Sequence, residues 1–408
     1  MKRSPQPETR PDTAVRHFPS LHSTFPARIG CPAKRTIGIA LAFVLLLMLL
    51  PLLRSLPFYW QASVGHLSLL AAARPIDAVL QDPRAENDLK QKLRKIAQIR
   101  EFAVRELGLP ENGSYRKYAD IGRPAVAWNV VATSEFSLEP VEWCFPVAGC
   151  VNYRGYFNKN DAIAYAKILQ DEGYDVHVSE VPAYSTLGWF GDPVLSSFIH
   201  YSEVSLVRLI FHEFAHQAVY VKGDTQFNES LAVAVETEGV ARWLAQHGSE
   251  SMRKTYVAYQ GRKKDYLDLL ARYRDRLEAL YASGADAAAM RSEKARTFRE
   301  LKDEFGMLKV GWGGYTGYDN WFGQRLSNAH LASIATYHSL APGFLALMAR
   351  QPGMQAFFTA ARELAALPKP LREQKLLALE AEAGAPAPMP LHKPQPALSP
   401  KPVRQTVG

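Results

Sequence analysis

Apolar and polar positions divide the chain into stretches of different kinds. Residues 37–53 form an apolar run of seventeen, weakened as a helix only by Gly38 and Pro51. That length lies near the lower limit for a membrane-spanning helix. Further on, apolar residues at helical spacing predict helices over residues 85–107, ended by Gly108 and Pro110, and over 161–172, ended by Gly173. Residues 125–133, 150–156 and 174–181 predict strands, the last with Val176 and Val178 in alternation. This strand–helix–strand passage predicts a small mixed sheet. Residues 204–220 lack Gly and Pro and are densely apolar, which predicts a buried helix. A short loop, 221–226, leads to a second helix over 230–246. Residues 250–283 and 285–305, rich in Arg, Lys, Tyr and Leu, predict an αα-hairpin. Glycines at 311, 313 and 314 then break the pattern, and Asn328 opens a helix that reaches Tyr337 and His338.

Composition adjusts this picture at the ends. The 408 residues are 47% hydrophobic, enough for a large core and one or two domains. The formal charge of +8 is carried by the termini. Residues 1–35 hold seven basic against two acidic side chains, and residues from Gly384 hold three basic and no acidic ones. The body is neutral, so a basic nucleic-acid-binding face is excluded. From Gly384 the chain carries seven prolines and little to bury, which predicts a disordered tail over 384–408. Lys34 and Arg35 precede the apolar run, and Phe58-Tyr59-Trp60 follows it as an interfacial aromatic patch. Positive charge before the run predicts a cytoplasmic N-terminus and a body on the far side of the membrane. An uncleaved anchor is preferred over a cleaved signal peptide, since small residues at a cleavage site come only at Ala71-Ala72-Ala73. A buried core helix is the third alternative.

The buried helix contains Phe211-His212-Glu213-Phe214-Ala215-His216. Positions four apart share a helix face, so His212 and His216 point two imidazoles at one ion, with Glu213 on the flank. This is the His-Glu-x-x-His arrangement of zinc hydrolases. There the histidines hold Zn²⁺, and the glutamate takes a proton from a water whose pKa the metal has lowered. The same residues also suit a helix with two hydrogen-bonded core histidines. Against that stands the cost of burying Glu213 among apolar flanks without a partner. A three-histidine variant is excluded, because Val219 and Lys222 occupy the positions of its glycine and third histidine. Glu229 and Glu236, thirteen and twenty residues after His216, compete as third ligand. They share a helix face but lie about 10.5 Å apart along its axis, so only one can hold the ion. The longer spacing is that of thermolysin-like enzymes. Asn228-Glu229-Ser230-Leu231-Ala232 is similar to the Asn-Glu-Gly-Phe-Ala type of segment that supplies the glutamate in zinc proteases generally, and Glu229 is preferred. Glu236 and Glu238 then support the site or are solvated helix acids.

A peptide-cleaving site also needs a donor for the developing oxyanion. His330 is the first candidate and Tyr318 the second, in a downstream group with Tyr315, Tyr337 and His338; Tyr184 is a further one. Tyr184 lies in an irregular aromatic segment, 182–193, which reads as a cleft wall or as a packed surface loop. Cys144 and Cys150 could close a small loop by a disulfide in an oxidising compartment, or stay as two small reduced core residues.

Several strings resemble a bacterial family of predicted zinc aminopeptidases, itself similar to the glutamate zincins at the zinc motif. They are Leu109-Pro110-Glu111-Asn112-Gly113-Ser114-Tyr115, Trp143-Cys144-Phe145-Pro146, Tyr153-Arg154-Gly155-Tyr156-Phe157 and Ala183-Tyr184-Ser185-Thr186-Leu187-Gly188-Trp189-Phe190. Residues 212–217, 220–225, 227–232 and 328–331 continue the resemblance. It implies a zinc metallopeptidase acting on small peptides outside the cytoplasm, with one Zn²⁺ on His212, His216 and Glu229. Members often look like exported lipoproteins; this chain instead offers a membrane helix, and Cys31 precedes the run.

The expected organisation is α+β. A basic cytoplasmic segment (1–35) and a transmembrane anchor or signal (36–56) place the body in the periplasm against the inner membrane. A zincin-like metal-binding core (57–250) and a largely helical part completing the cleft (251–383) follow, then the tail. The alternative function is a membrane-anchored, zinc-stabilised binding or assembly protein with a protease-like site that does not turn over.

Overall fold

The computed structural model describes residues 56–145, 149–335 and 340–384. The expectations for the basic segment, the apolar run, Tyr337, His338 and the proline-rich tail lie outside them. The chain divides into two units, Met1–Pro57 and Phe58–Gly408; the elements below belong to the second, apart from the first two residues of α1. Among the described residues no helix is long and apolar enough to cross a membrane.

The body is α+β, mostly helical with three small sheets. Helix α1 (residues 56–72) leads into β1 (Ala73–Pro75), α2 (Ile76–Gln81) and α3 (Asn87–Arg105). Strand β1 pairs antiparallel with β2 (Lys117–Ala119), and β2 pairs parallel with β8 (Val194–Leu195), a small mixed sheet. The central sheet is antiparallel, with β3 (Ala127–Thr133) between β6 (Arg154–Tyr156) and β7 (Asp175–Val181). Helix α4 (Lys159–Asp171) joins β6 to β7 and starts where the Asn158 side chain accepts from the amides of Asn160 and Asp161. Strand alternation divides this sheet into two faces. Trp128, Val130, Ala132, Val176 and Val178 pack with Ala162, Ala166 and Leu169 of α4. Asn129, Val131, His177 and Ser179 therefore lie on the opposite face, paired across the strands as Asn129–Ser179 and Val131–His177.

The single strand expected over residues 150–156 is two. Strand β5 (Gly149–Val151) pairs only with β4 (Trp143–Phe145), where the Cys144–Cys150 disulfide joins partners directly opposite each other. The chain then bends at Asn152 and Tyr153 before β6 joins the central sheet. Gly149 has φ +81°, and a Cβ there would meet the Gly223 amide nitrogen at 2.8 Å. The hairpin thus lies directly against the loop that precedes the second metal-site helix.

Helices α5 (Glu203–Ala215) and α6 (Thr225–His247) form the centre of the main core. Ser202 caps the first, its hydroxyl accepting from the Ser205 amide. This helix is shorter than the apolar pattern predicts: beyond His216, Gln217 and Ala218 bond back only three residues, to Phe214 and Ala215. Phe211, Phe214, Phe227 and Trp243 are fully buried here. The expected αα-hairpin is α7 (Glu250–Ala282) and α8 (Ala287–Gly311). Short helices α9 (Asp319–Phe322) and α10 (Asn328–Ala335) follow, and α10 packs on β3 and β7. Helices α11 (Ala341–Ala349), α12 (Met354–Ala365) and α13 (Lys369–Ala383) return to the main core, which draws on residues from Leu69 to Leu376.

Candidate metal centre

The site is built where α5 and α6 cross. Arg208, His212 and His216 stand four residues apart and share the face of α5 that looks towards α6. Helix α6 begins five residues earlier than the expected helix start, because two side chains organise the intervening loop. Asp224 caps it by accepting from the Phe227 amide. Asn228 donates to the Val221 carbonyl and accepts from the Val221 amide, both at 2.8 Å. This closed turn brings Glu229 to the histidines.

One nitrogen of His212, one of His216 and one carboxylate oxygen of Glu229 lie within 4.8 Å of one another. His212 Nε2 is 3.2 Å from Glu229 Oε2, and His216 Nε2 is 3.7 Å from Glu229 Oε1. Two tetrahedral ligands each ~2.1 Å from one ion lie roughly 3.4 Å apart, so these separations suit a shared metal. The donor set of two imidazoles and a carboxylate is that of an open zinc site. The three side chains are 15%, 11% and 14% exposed, largely desolvated yet reachable. The residues fit a divalent metal.

Glu236 lies two helical turns further along the same face of α6 and serves His212 from behind. Its carboxylate is 3.3 Å from His212 Nδ1 and accepts from Arg208 Nε at 2.6 Å. A carboxylate on the far nitrogen fixes the tautomer that leaves Nε2 free to ligate. Burial pushes the Glu236 carboxyl up, but the Arg208 guanidinium, His212 and Lys263 outweigh it and bring it to about 2. Arg208 also stacks on Tyr259, 4.2 Å from the ring centre. Burial would lower His212; hydrogen bonds donated to Glu229 and Glu236 reverse this and raise it to about 10. For His216 burial wins over Glu229 and lowers it to about 4. Acidic oxygens thus crowd one imidazole, an environment that draws a cation. Glu238, the other acid of this helix, pairs instead with Arg242 at 2.6 Å.

Glu213 lies between the two histidines in the chain and makes no side-chain hydrogen bond among the described residues. Burial, opposed by His212 and assisted by Glu229, Asp192 and Glu236, raises its carboxyl to about 7. A carboxyl held near neutrality suits proton transfer in both directions.

Other residues are placed differently from expectation. The His330 ring packs on His177, with centroids 3.9 Å apart, and on Trp321. Its Nδ1 is met by Ser327 and its Nε2 by Gln324. With both nitrogens engaged in a packed interior, it has no geometric support as an oxyanion donor. Tyr318 stacks on Tyr266 at 4.2 Å and faces Tyr315 and Arg208 rather than the cluster acids. Tyr315 lies under the Arg262 guanidinium, and Tyr184 bonds His66. The phenol coupled to both Glu229 and Glu213 is Tyr153, at the β5–β6 bend; burial and these two acids push it upward. In the apolar pattern residues 150–156 look like one strand, which hides that corner.

The segment 182–193 has a wired base and an exposed tip. Asp192 accepts from Thr186, Ser185 and Gln217, and Gln217 in turn accepts from Asn112 at 2.6 Å. Arg100 is buried and donates to the carbonyls of Ser114 and Asn112 and to Glu111. Two of the family-like strings are therefore tied to the residue next to His216. At the tip, Trp189 is 75% exposed, and Phe190, 52% exposed, meets the His66 ring edge-on at 4.8 Å.

Fold and site together define an α+β protein with a His-His-Glu cluster of the His-Glu-x-x-His kind, whose donor atoms could hold a metal ion. The model of the family described as "Putative aminopeptidase" matches residues 57–376, and the chain belongs to that family. No curated protein matches the chain, and no solved structure does.

Proposed function

We propose that the protein is a zinc-dependent metallopeptidase, an aminopeptidase acting on small peptides, with a zincin-like core. The observation that carries this is the cluster of His212, His216 and Glu229 within 4.8 Å, backed by Glu236 and flanked by Glu213. These three side chains would hold one zinc ion, which supplies a lowered water pKa and polarisation of the peptide carbonyl. Glu213 takes a proton from the attacking water and passes it to the departing amine. Glu236 and Arg208 hold His212 in its orientation. Tyr153 takes the donor role expected of His330 and Tyr318: its phenol gives a hydrogen bond to the carbonyl oxygen as negative charge grows there.

Export is part of this reading. The apolar run 37–53 with Lys34 and Arg35 before it supports an inner-membrane anchor and a periplasmic body. The disulfide of the β4–β5 hairpin supports an oxidising compartment.

Glu213→Gln tests the mechanism. It should retain zinc at one ion per chain while peptide hydrolysis falls at least a hundredfold. Hydrolysis that survives the substitution would remove Glu213 as the base; zinc retention with no hydrolysis by the unaltered protein either would favour the binding-protein alternative.

A further inference from the structure

The free face of the central sheet bounds a cavity of about 360 Å³. Its floor is the cross-strand pairs Asn129–Ser179 and Val131–His177. Tyr266 and Trp321 close it from α7 and α9, and Ile334 from α10. Ligand pockets begin at about 300 Å³, so the space admits a large amino-acid side chain. Two features connect it to the metal centre. Tyr153 lines it, and the same phenol lies in the field of Glu229 and Glu213. Thr225 also lines it, one helical turn before Glu229 on α6.

The chemistry of the lining is selective. Among the described residues no Asp, Glu, Lys or Arg contributes to it, and its large members are aromatic or aliphatic. His177 is 3% exposed and its Nδ1 has no hydrogen-bond partner. Burial pushes that imidazole down to about 4, so it is neutral. A charged side chain entering here would meet amides and hydroxyls but no countercharge among these residues. An aromatic ring would instead meet Trp321 and Tyr266. A second cavity of about 380 Å³ shares Asn152, Thr225 and Ala332 with the first and is lined by Glu139, Glu142, Arg274 and Lys369. The charged surroundings are thus on one side of Thr225 and the uncharged ones on the other.

We propose that the uncharged cavity is the substrate side-chain subsite and selects a large apolar or aromatic residue next to the bond cleaved. This rests on the peptidase reading, and a binding measurement separates the two. The dipeptides Phe-Ala, Ala-Ala and Lys-Ala are titrated calorimetrically into the full-length, zinc-loaded Glu213→Gln protein, which holds them uncleaved. Phe-Ala should bind at least tenfold more tightly than the other two. Ser179→Tyr, which fills the floor, should abolish that preference. Asn129→Asp, nearly isosteric and so safe for folding, should weaken Phe-Ala and strengthen Lys-Ala. Equal affinities, or a Phe-Ala preference that Asn129→Asp leaves unchanged, would overturn the subsite. Retained preference together with no hydrolysis by the unaltered protein would overturn the peptidase reading and leave the subsite standing.

Discussion

At the residue scale, the choice between Glu229 and Glu236 turns on which histidine nitrogen each one meets. Glu229 faces the Nε2 atoms of both His212 and His216, whereas Glu236 meets His212 Nδ1 and Arg208. Glu229→Ala should therefore abolish zinc binding. Glu236→Gln should keep one zinc per chain at saturation but weaken its affinity by about 10–100-fold. Metal titration of both variants checks this, and the reverse pattern would exchange their roles. The motif was legible from sequence because helix geometry fixes which side chains share a face, whereas the preference for Glu229 rests on the likeness of Asn228-Glu229-Ser230-Leu231-Ala232 to the glutamate-bearing segment of zinc proteases. Arg208, one turn before His212, and Tyr153 were not, since neither has a partner close in sequence. A second residue-scale prediction concerns His177 and His330, which burial pushes down to about 4 and about 2. Unfolded histidines titrate near 6.5, so below that pH the unfolded chain binds protons that the folded one refuses. Stability should fall as pH drops from about 6.5 towards 4, each histidine adding up to ~1.4 kcal/mol per pH unit. Urea unfolding of His177→Asn/His330→Asn should show a shallower fall between pH 6.5 and 5; an unchanged slope would contradict the assignment.

At the element scale, the site depends on how closely α5 and α6 approach. Gly239 sets that approach, since a Cβ there would lie 2.5 Å from a ring carbon of Phe211 and 2.7 Å from Leu107. Gly239→Ala should push the helices apart, destabilising the protein by about 1–3 kcal/mol. It should also weaken zinc binding, because Glu229 moves with α6 while the histidines stay on α5. Melting with and without zinc measures both effects, and a variant as stable as the original would show that the helices tolerate more separation. Helices α3, α4 and α7 were close to their expected bounds because their apolar spacing is long and regular, whereas α8 runs six residues past its expected end, to Gly311. Expectation failed where tertiary contacts outrank local pattern. The run 150–156 looks like one strand, but the disulfide and the contact of Gly149 with Gly223 hold β5 in its own hairpin. The early start of α6 likewise comes from Asp224 and Asn228, whose hydrogen bonds fold the loop back.

At the scale of the whole molecule, α13 is held against the start of α6 by a buried pair. Arg372 Nε donates to Asp224 Oδ2 at 2.8 Å, and Asp224 is also the cap of α6. The last described helix thus bears on the loop that places Glu229, a link with no signature in local sequence. The main core draws residues from α1 to α13, so the metal helices lie at its middle rather than at an edge. That placement gives a rigid frame, and the proposed side-chain subsite is the uncharged cavity beyond Thr225. The most direct test of the central claim is digestion of a mixed peptide library by the purified full-length protein, read by mass spectrometry with and without chelator. Stepwise loss of N-terminal residues, abolished by chelator and restored by added zinc, is the predicted result. Cleavage that persists after chelation, or no cleavage by the zinc-loaded protein, would contradict the account.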